Sequence, residues 1–182
     1  MKDDPDEVLV RQIAAGDAVA LRQLMARHLP RIHALARRLL GDAAVAEDVA
    51  QETFLKVWRS AADWRPGTAR FGTWLYRVAL NLCYDTLRRR KDVAIAEPPE
   101  MIDATPLPDA PDVAEAQARA VEAALQRIAP RQREAIILVY YQELPQADAA
   151  AVMEISVDAL ESLLARGRRA LQALLLKEDD NG

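Results

Sequence analysis

Cysteine is nearly absent from this 182-residue chain: Cys83 is the only one. A disulfide framework is excluded, and a reducing cytoplasm is the expected compartment. Cys83 follows the apolar Leu82 and reads as a small core residue rather than a redox sensor. Histidine is almost as scarce, with His28 and His33 alone. No carboxylate triad or metal-ligand spacing accompanies them, and five positions apart they do not share a helix face well. Surface or core packing is their expected role, so no catalysis, cofactor or metal is expected. Only six glycines occur, while Ala, Leu, Arg and Glu are plentiful, which favours an all-α protein. No run of about 18 apolar residues exists, so no membrane insertion is expected. The acidic start MKDDPDEVLV has no apolar segment of the kind a signal peptide needs. Net positive charge is lacking too: 24 Lys and Arg stand against 28 Asp and Glu, leaving −4. Such a chain has weak long-range attraction to nucleic acid unless positive charge is gathered locally.

What is present is enough apolar material for a packed core, 51% of residues, and one sharp break. Residues 92–112, DVAIAEPPEMIDATPLPDAPD, hold five of the ten prolines and six acidic residues, with no basic residue and no glycine. Prolines this dense predict an extended, semi-stiff linker. Its 21 residues reach at most about 70 Å. The expected fold is therefore all-α, with one small helical domain over 7–91 and another over 113–178.

In the first domain, two helices are expected to part near Gly16-Asp17, with Pro30 kinking the second and Gly41 ending it. A helix over 44–62 turns Val45, Val49, Ala50, Phe54, Val57 and Ala61 inward. A loop marked by Pro66 and Gly67 follows, then a helix over 72–91 with Trp74, Leu75, Val78, Leu82 and Leu87 as its buried stripe. In the second domain, helices are expected over 112–128, 130–143, 145–153 and 157–177, with EIS as the last turn. Val157, Leu160, Leu164, Leu171 and Leu174 of the final helix should face the core, with Gly167 on the same stripe.

Three helix faces carry chemistry. The last two helices make a helix-turn-helix pattern. Ser156 is placed to cap the last helix, whose outer face presents Ser162, Ala165 and Arg169, flanked by Glu161, Arg166 and Arg168. That set fits a DNA groove, with arginines for phosphate or guanine and Glu161 able to accept from cytosine; a solvated amphipathic helix is the plainer alternative. On the helix 72–91, Arg77, Asn81, Tyr84 and Arg88 recur at three-four spacing on one exposed face, beside Arg89. Cation, amide and ring together suit a single strand. The preceding loop adds Trp64, Arg65 and Arg70. Trp64 either plugs the core or stands free to meet unstacked bases, and the sequence leaves the two level. The third face, Asp48, Gln51, Glu52, Leu55 and Arg59, sets an exposed leucine among polar groups, as a protein contact does; spacing alone favours a plain solvated face.

Together these segments resemble the sigma-70 family of RNA polymerase sigma factors in its small extracytoplasmic-function (ECF, group IV) form. The opening Gly16, Asp17, Leu24, Arg27 and His28, the D-x-x-Q-E-x-F pattern of Asp48, Gln51, Glu52 and Phe54, the helix FGTWLYRVALNLCYDTLRRRK, and Ile128, Pro130, Arg131, Arg133 and Glu134 match the family in order and spacing. The resemblance implies core RNA polymerase as partner. The 44–62 helix would meet the β′ clamp helices, and the second domain would meet the β flap. It places promoter DNA on the other two faces: Asn81 and the 62–71 loop at a flipped −10 base, the last helix in the −35 groove. It also implies an anti-sigma factor. Two positions depart from the family pattern. Met153-Glu154-Ile155 stands where many relatives have Leu-Gly-Ile, and Glu161 stands where a basic residue is common. Apart from the resemblance, the residues also allow a two-domain helix-turn-helix regulator acting without polymerase.

Overall fold

Gly16 and Asp17 decide where the first helix ends and the second begins. The computed structural model describes residues 4–65, 70–96 and 113–179. In it α1 spans Glu7–Ala14 and α2 spans Ala18–Leu40. Gly16 takes φ +87°, a region glycine enters at little cost. The Asp17 carboxylate then accepts from the backbone N–H of Val19 at 2.7 Å and of Ala20 at 3.2 Å, capping α2. Pro30 lies on the exposed side of α2, and the helix runs on through it. Gly41, left-handed at φ +68°, stops it. Asp42 caps α3, Ala43–Ser60, by accepting from Val45 N–H at 3.1 Å, and it pairs with Arg90 at 2.6 Å. Those two contacts hold its carboxyl below the usual range.

Helix α4 spans Phe71–Ala96. It begins one residue before and ends five residues beyond the expected 72–91, so residues 92–96 are helix rather than linker. The rest of the expected linker, 97–112, lies outside the described residues, as do 66–69 in the 62–71 loop. The second half builds α5, Val113–Arg127, and α6, Pro130–Ile136. There the expected single helix 130–143 changes pitch: Ile137–Tyr141 is a π-helical turn, with Gln142 N–H donating to the Ile137 carbonyl at 2.9 Å. The fifth-residue bond encloses one more residue than an α-turn. Helices α7, Gln146–Met153, and α8, Val157–Asp179, follow. Among the described residues there is no strand, and no helix is long and apolar enough to cross a membrane.

Helices α1 to α4 pack around Leu24, Ile32, Leu35, Phe54, Val57, Phe71 and Leu75, all buried. In the second half α6 crosses α8 closely. A Cβ on Gly167 would meet Ile136 Cδ1 at 2.7 Å and Gln132 Cβ at 3.3 Å, so the missing side chain permits the approach. The expected stripes mostly hold. Val49, Ala50, Phe54, Val57 and Ala61 of α3 and Leu160 and Leu164 of α8 are buried. Val157 is a correction: at the first position of α8, beyond the packed part of the helix, it is exposed. On α4 the stripe is wider than expected. Trp74, Val78 and Leu87 are half-buried, while Phe71, Tyr76, Ala79, Leu80 and Cys83 join Leu75 and Leu82 in the core. The cause is packing from two sides, by α2 and α3 and by α7. Burial, with the nearby charge of Glu134 second, pushes the Cys83 thiol up to about 12.

The N-terminal segment is tied down by two aspartates. Asp4 accepts from Asp6 N–H at 3.0 Å and from Phe71 N–H at 2.6 Å, which covers the start of α4. Asp6, itself buried, pairs with Arg27 and with His28 Nε2 at 2.7 Å. Burial alone would raise the pKa of Asp6, but His28 and Arg27 outweigh it and hold the carboxyl below the ordinary 3.8. A carboxyl depressed in the folded state contributes stability above its unfolded pKa and loses it as pH falls through the folded one. Asp6→Asn is therefore expected to lower stability at pH 7 by about 1–3 kcal/mol. In urea denaturation, its gap to the parent should shrink as pH drops below about 4.

Candidate functional faces

The outward side of α3 is open. Asp48, Gln51, Leu55 and Arg59 are exposed and Glu52 is half-buried, 4.0 Å from the Arg59 guanidinium. Leu55 is 47% exposed and Trp58 39%. With Phe54 and Gln51 they form one wall of an apolar groove of about 490 Å³, and Ala18, Leu21 and Met25 of α2 form the other. The sequence pattern identified Leu55 but missed Trp58, one helical turn on, and missed the α2 wall entirely. Two large apolar side chains left in water beside a groove mark a surface built to be covered.

The basic face of α4 is only partly open, which corrects the expectation that Arg77, Asn81, Tyr84 and Arg88 stand exposed together. Asn81, Arg88 and Arg89 are exposed, and Arg88 pairs with Asp85 at 3.2 Å. Arg77 instead donates to the Ala151 carbonyl at 2.8 Å and pairs with Glu154 at 3.1 Å, both in the second half of the chain. The Tyr84 hydroxyl donates to Glu134 of α6. Asn81 shares an open cleft of about 750 Å³ with Lys56, Tyr84, Asp85, Arg88, Lys91 and Pro130. Trp64 is not a free-standing ring: it is half-buried, edge-on to Phe71 with centroids 5.8 Å apart. Arg65 is exposed and donates to the Ala62 carbonyl at 2.8 Å, and Arg70 is exposed.

These α4 contacts belong to a broad seam between the two halves. Tyr76 donates to the Gln142 side chain at 3.1 Å, and Arg31 donates to the Gln142 carbonyl. The last turn of α2 leaves carbonyls without helical partners. Gln126 donates to that of Arg38 at 2.6 Å, and Arg133 to that of Leu39 at 2.9 Å. The Arg38 guanidinium lies 4.2 Å above the Tyr141 ring. At the centre Glu134 is 1% exposed. Burial raises its pKa, while the Tyr84 hydroxyl and the Arg131 guanidinium, at 3.0 Å, pull it back. Burial and the charge of Glu134 raise the pKa of Tyr84, so its proton stays in the bond.

The outer face of α8 is uncovered. Ser156 Oγ accepts from Ala159 N–H at 3.2 Å, the expected cap. Glu161, Ser162, Arg166, Arg168 and Arg169 are exposed and Ala165 is half-buried. Arg166 and Arg169 fold back on the carbonyls of Ser162 and Ala165, and Arg168 donates to the Tyr140 hydroxyl at 3.1 Å. The preceding turn runs through Glu154 at φ +56°, a left-handed position that costs a non-glycine residue roughly 1 kcal/mol.

Residues 24–93 match the family described as Sigma-70 region 2, and residues 118–171 match Sigma-70, region 4. The chain is 34% identical to the ECF RNA polymerase sigma factor SigE of Mycolicibacterium smegmatis, over 90% of this chain and 66% of that protein. It is 31% identical to the RNA polymerase sigma factor CnrH of Cupriavidus metallidurans, over 95% of each. In three dimensions it resembles the solved structure of CnrH in complex with the cytosolic domain of CnrY, with a TM-score of 0.72 and 30% identity over 93% of this chain and 96% of that one. The chain belongs to the sigma-70 family of RNA polymerase sigma factors, in its ECF group.

Proposed function

We propose that this chain is an alternative sigma factor, binding core RNA polymerase and directing it to promoters through −10 and −35 elements. The observation that carries this is the pairing of regions 2 and 4, in that order, in one chain. The groove and outer face of α3, with Asp48, Gln51, Glu52, Leu55 and Arg59 joined by Trp58, receive the β′ clamp helices. Asn81 and its basic neighbours on α4 capture the −10 strand. Flipping a base costs a few kcal/mol, and stacking on a ring returns about 1–3 kcal/mol. The α8 face enters the −35 major groove, and the region 4 domain meets the β flap.

Neither DNA face has to bind strongly alone. A net charge of −4 gives little attraction at a distance. Two modest readers carried by one enzyme act at effective concentrations near millimolar. Two DNA turns span about 70 Å, close to the full reach of the 21-residue segment 92–112; with 92–96 helical the reach falls to about 60–65 Å, so the two domains have to supply part of the span. The protein works in the cytoplasm, and an anti-sigma factor is its expected antagonist. Support for the antagonist is the likeness to CnrH, a sigma factor solved with a bound partner.

Run-off transcription with core polymerase on randomised promoters tests the assignment; start sites sharing −10 and −35 sequences are expected. Specific gel shifts by the chain without core polymerase would instead favour a free-standing regulator. Leu55→Glu puts a charge into the proposed apolar contact and should weaken core binding tenfold or more. Its thermal midpoint should stay at the parent value, since Leu55 is exposed. Asn81→Ala should leave core binding intact and reduce open-complex formation roughly tenfold, read by permanganate reactivity of the melted strand. Loss of core binding instead would remove Asn81 from its assigned role.

A further inference from the structure

We infer that Glu161 sets the base preference of the α8 face, its carboxylate accepting a hydrogen bond from the exocyclic amine of one cytosine in the −35 groove. This deepens the promoter-reading role proposed above and rests on it. Glu161 is exposed in the second turn of α8. Its helix neighbours three and four positions away are Val157, Asp158, Leu164 and Ala165, so no cation stands at pairing distance along the helix. The arginines of the same face are engaged elsewhere: Arg166 and Arg169 on the carbonyls of Ser162 and Ala165, Arg168 on the Tyr140 hydroxyl. Among the described residues, no hydrogen bond or ion pair engages the Glu161 carboxylate.

Asp158, one turn earlier, is a different case. It lies in the first turn of α8, where the helix dipole favours a negative charge, and that effect fades by the second turn. Glu161 is thus a free carboxylate on a face that meets phosphates, and each approach to DNA sets it against like charge. Only a donor on the DNA can offset that repulsion.

The base edges narrow the choice. A recognition helix turns its N-terminal residues to the bases, which brings Glu161 and Ser162 to the groove floor and leaves the later arginines to the backbone. Cytosine alone presents a donor without an acceptor on the same base. Adenine sets an acceptor beside its donor, and guanine and thymine present acceptors, which repel a carboxylate. Ser162 both donates and accepts, so it discriminates little. Affinity then comes from Arg166, Arg168 and Arg169, and choice of base from Glu161.

The test compares holoenzymes carrying the parent, Glu161→Ala and Arg168→Ala in run-off transcription on a library with a randomised −35 region. With the parent, one C·G pair should be enriched about tenfold over other pairs at its position. Glu161→Ala should flatten that position, keep the others and leave the thermal midpoint no lower, since Glu161 is exposed. Arg168→Ala should weaken all −35 sequences alike. A cytosine analogue lacking the exocyclic amine, placed at that pair, should cost the parent holoenzyme about tenfold more binding than it costs the Glu161→Ala holoenzyme. Start sites with no shared −35 sequence overturn the promoter-reading role and this inference together. Shared sequences whose preferences survive Glu161→Ala, preferences lost across the whole element, flattening of the same pair by Arg168→Ala, or an equal response to the analogue overturn this inference alone.

Discussion

A carboxylate buried to 1% exposure has to be given donors, and Glu134 draws them from both halves of the chain. Arg131, on its own helix, supplies charge at 3.0 Å; Tyr84, on α4, supplies a hydroxyl. Arg131 also donates to the Met153 carbonyl at the end of α7, at 3.1 Å. One acid therefore ties together α6, the start of the last turn and the helix of the other domain. Parting the domains strips Glu134 of Tyr84 but not of Arg131, and solvent can enter in place of the hydroxyl.

The charge pattern gains its meaning from that arrangement. Carboxylates outnumber cations on this chain, yet its two basic helix faces are met by different groups. On α8 the arginines turn to their own helix carbonyls or to Tyr140, contacts that are exposed and easily exchanged. On α4 the cation Arg77 and the ring of Tyr84 are taken by the opposite domain. The difference lies in geometry rather than composition: α4 lies against α7 and α6, whereas the outer side of α8 faces solvent.

Much of the fold was legible in the sequence because it is local. Gly16, Asp17 and Gly41 announce the ends of α2 through turn and cap chemistry, and three-four spacing identifies the core side of α3. What was not legible came from contacts between distant segments. Periodicity placed Arg77, Asn81, Tyr84 and Arg88 on one face correctly, but nothing in the spacing says that α7 will lie on part of it. Trp64 was undecidable from the sequence because its partner, Phe71, lies beyond a loop. The π-helical turn was hidden in an ordinary helical pattern. Its extra residue places Tyr141 under Arg38 and Gln142 against Tyr76, a gain that exists only in the docked chain. The apolar groove was half seen, since one wall comes from α3 and the other from α2.

Which surfaces the docking leaves free also sets an order of events. Leu55 and Trp58 stay in water while Arg77 and Tyr84 are engaged, so under the proposed function the hydrophobic gain of meeting polymerase needs no prior parting of the two halves. Covering two large side chains and their groove contributes several kcal/mol; the Arg77–Glu154 pair, mostly solvated, contributes at most about 1 kcal/mol to a seam that also holds the Tyr84–Glu134 and Tyr76–Gln142 bonds and apolar packing. An enzyme that binds the α3 face and also offers a site for the region 4 domain draws the domains apart with energy the free chain lacks. The α4 face is only partly taken: Arg77 and Tyr84 are engaged by the second half, while Asn81, Arg88 and Arg89 stay exposed.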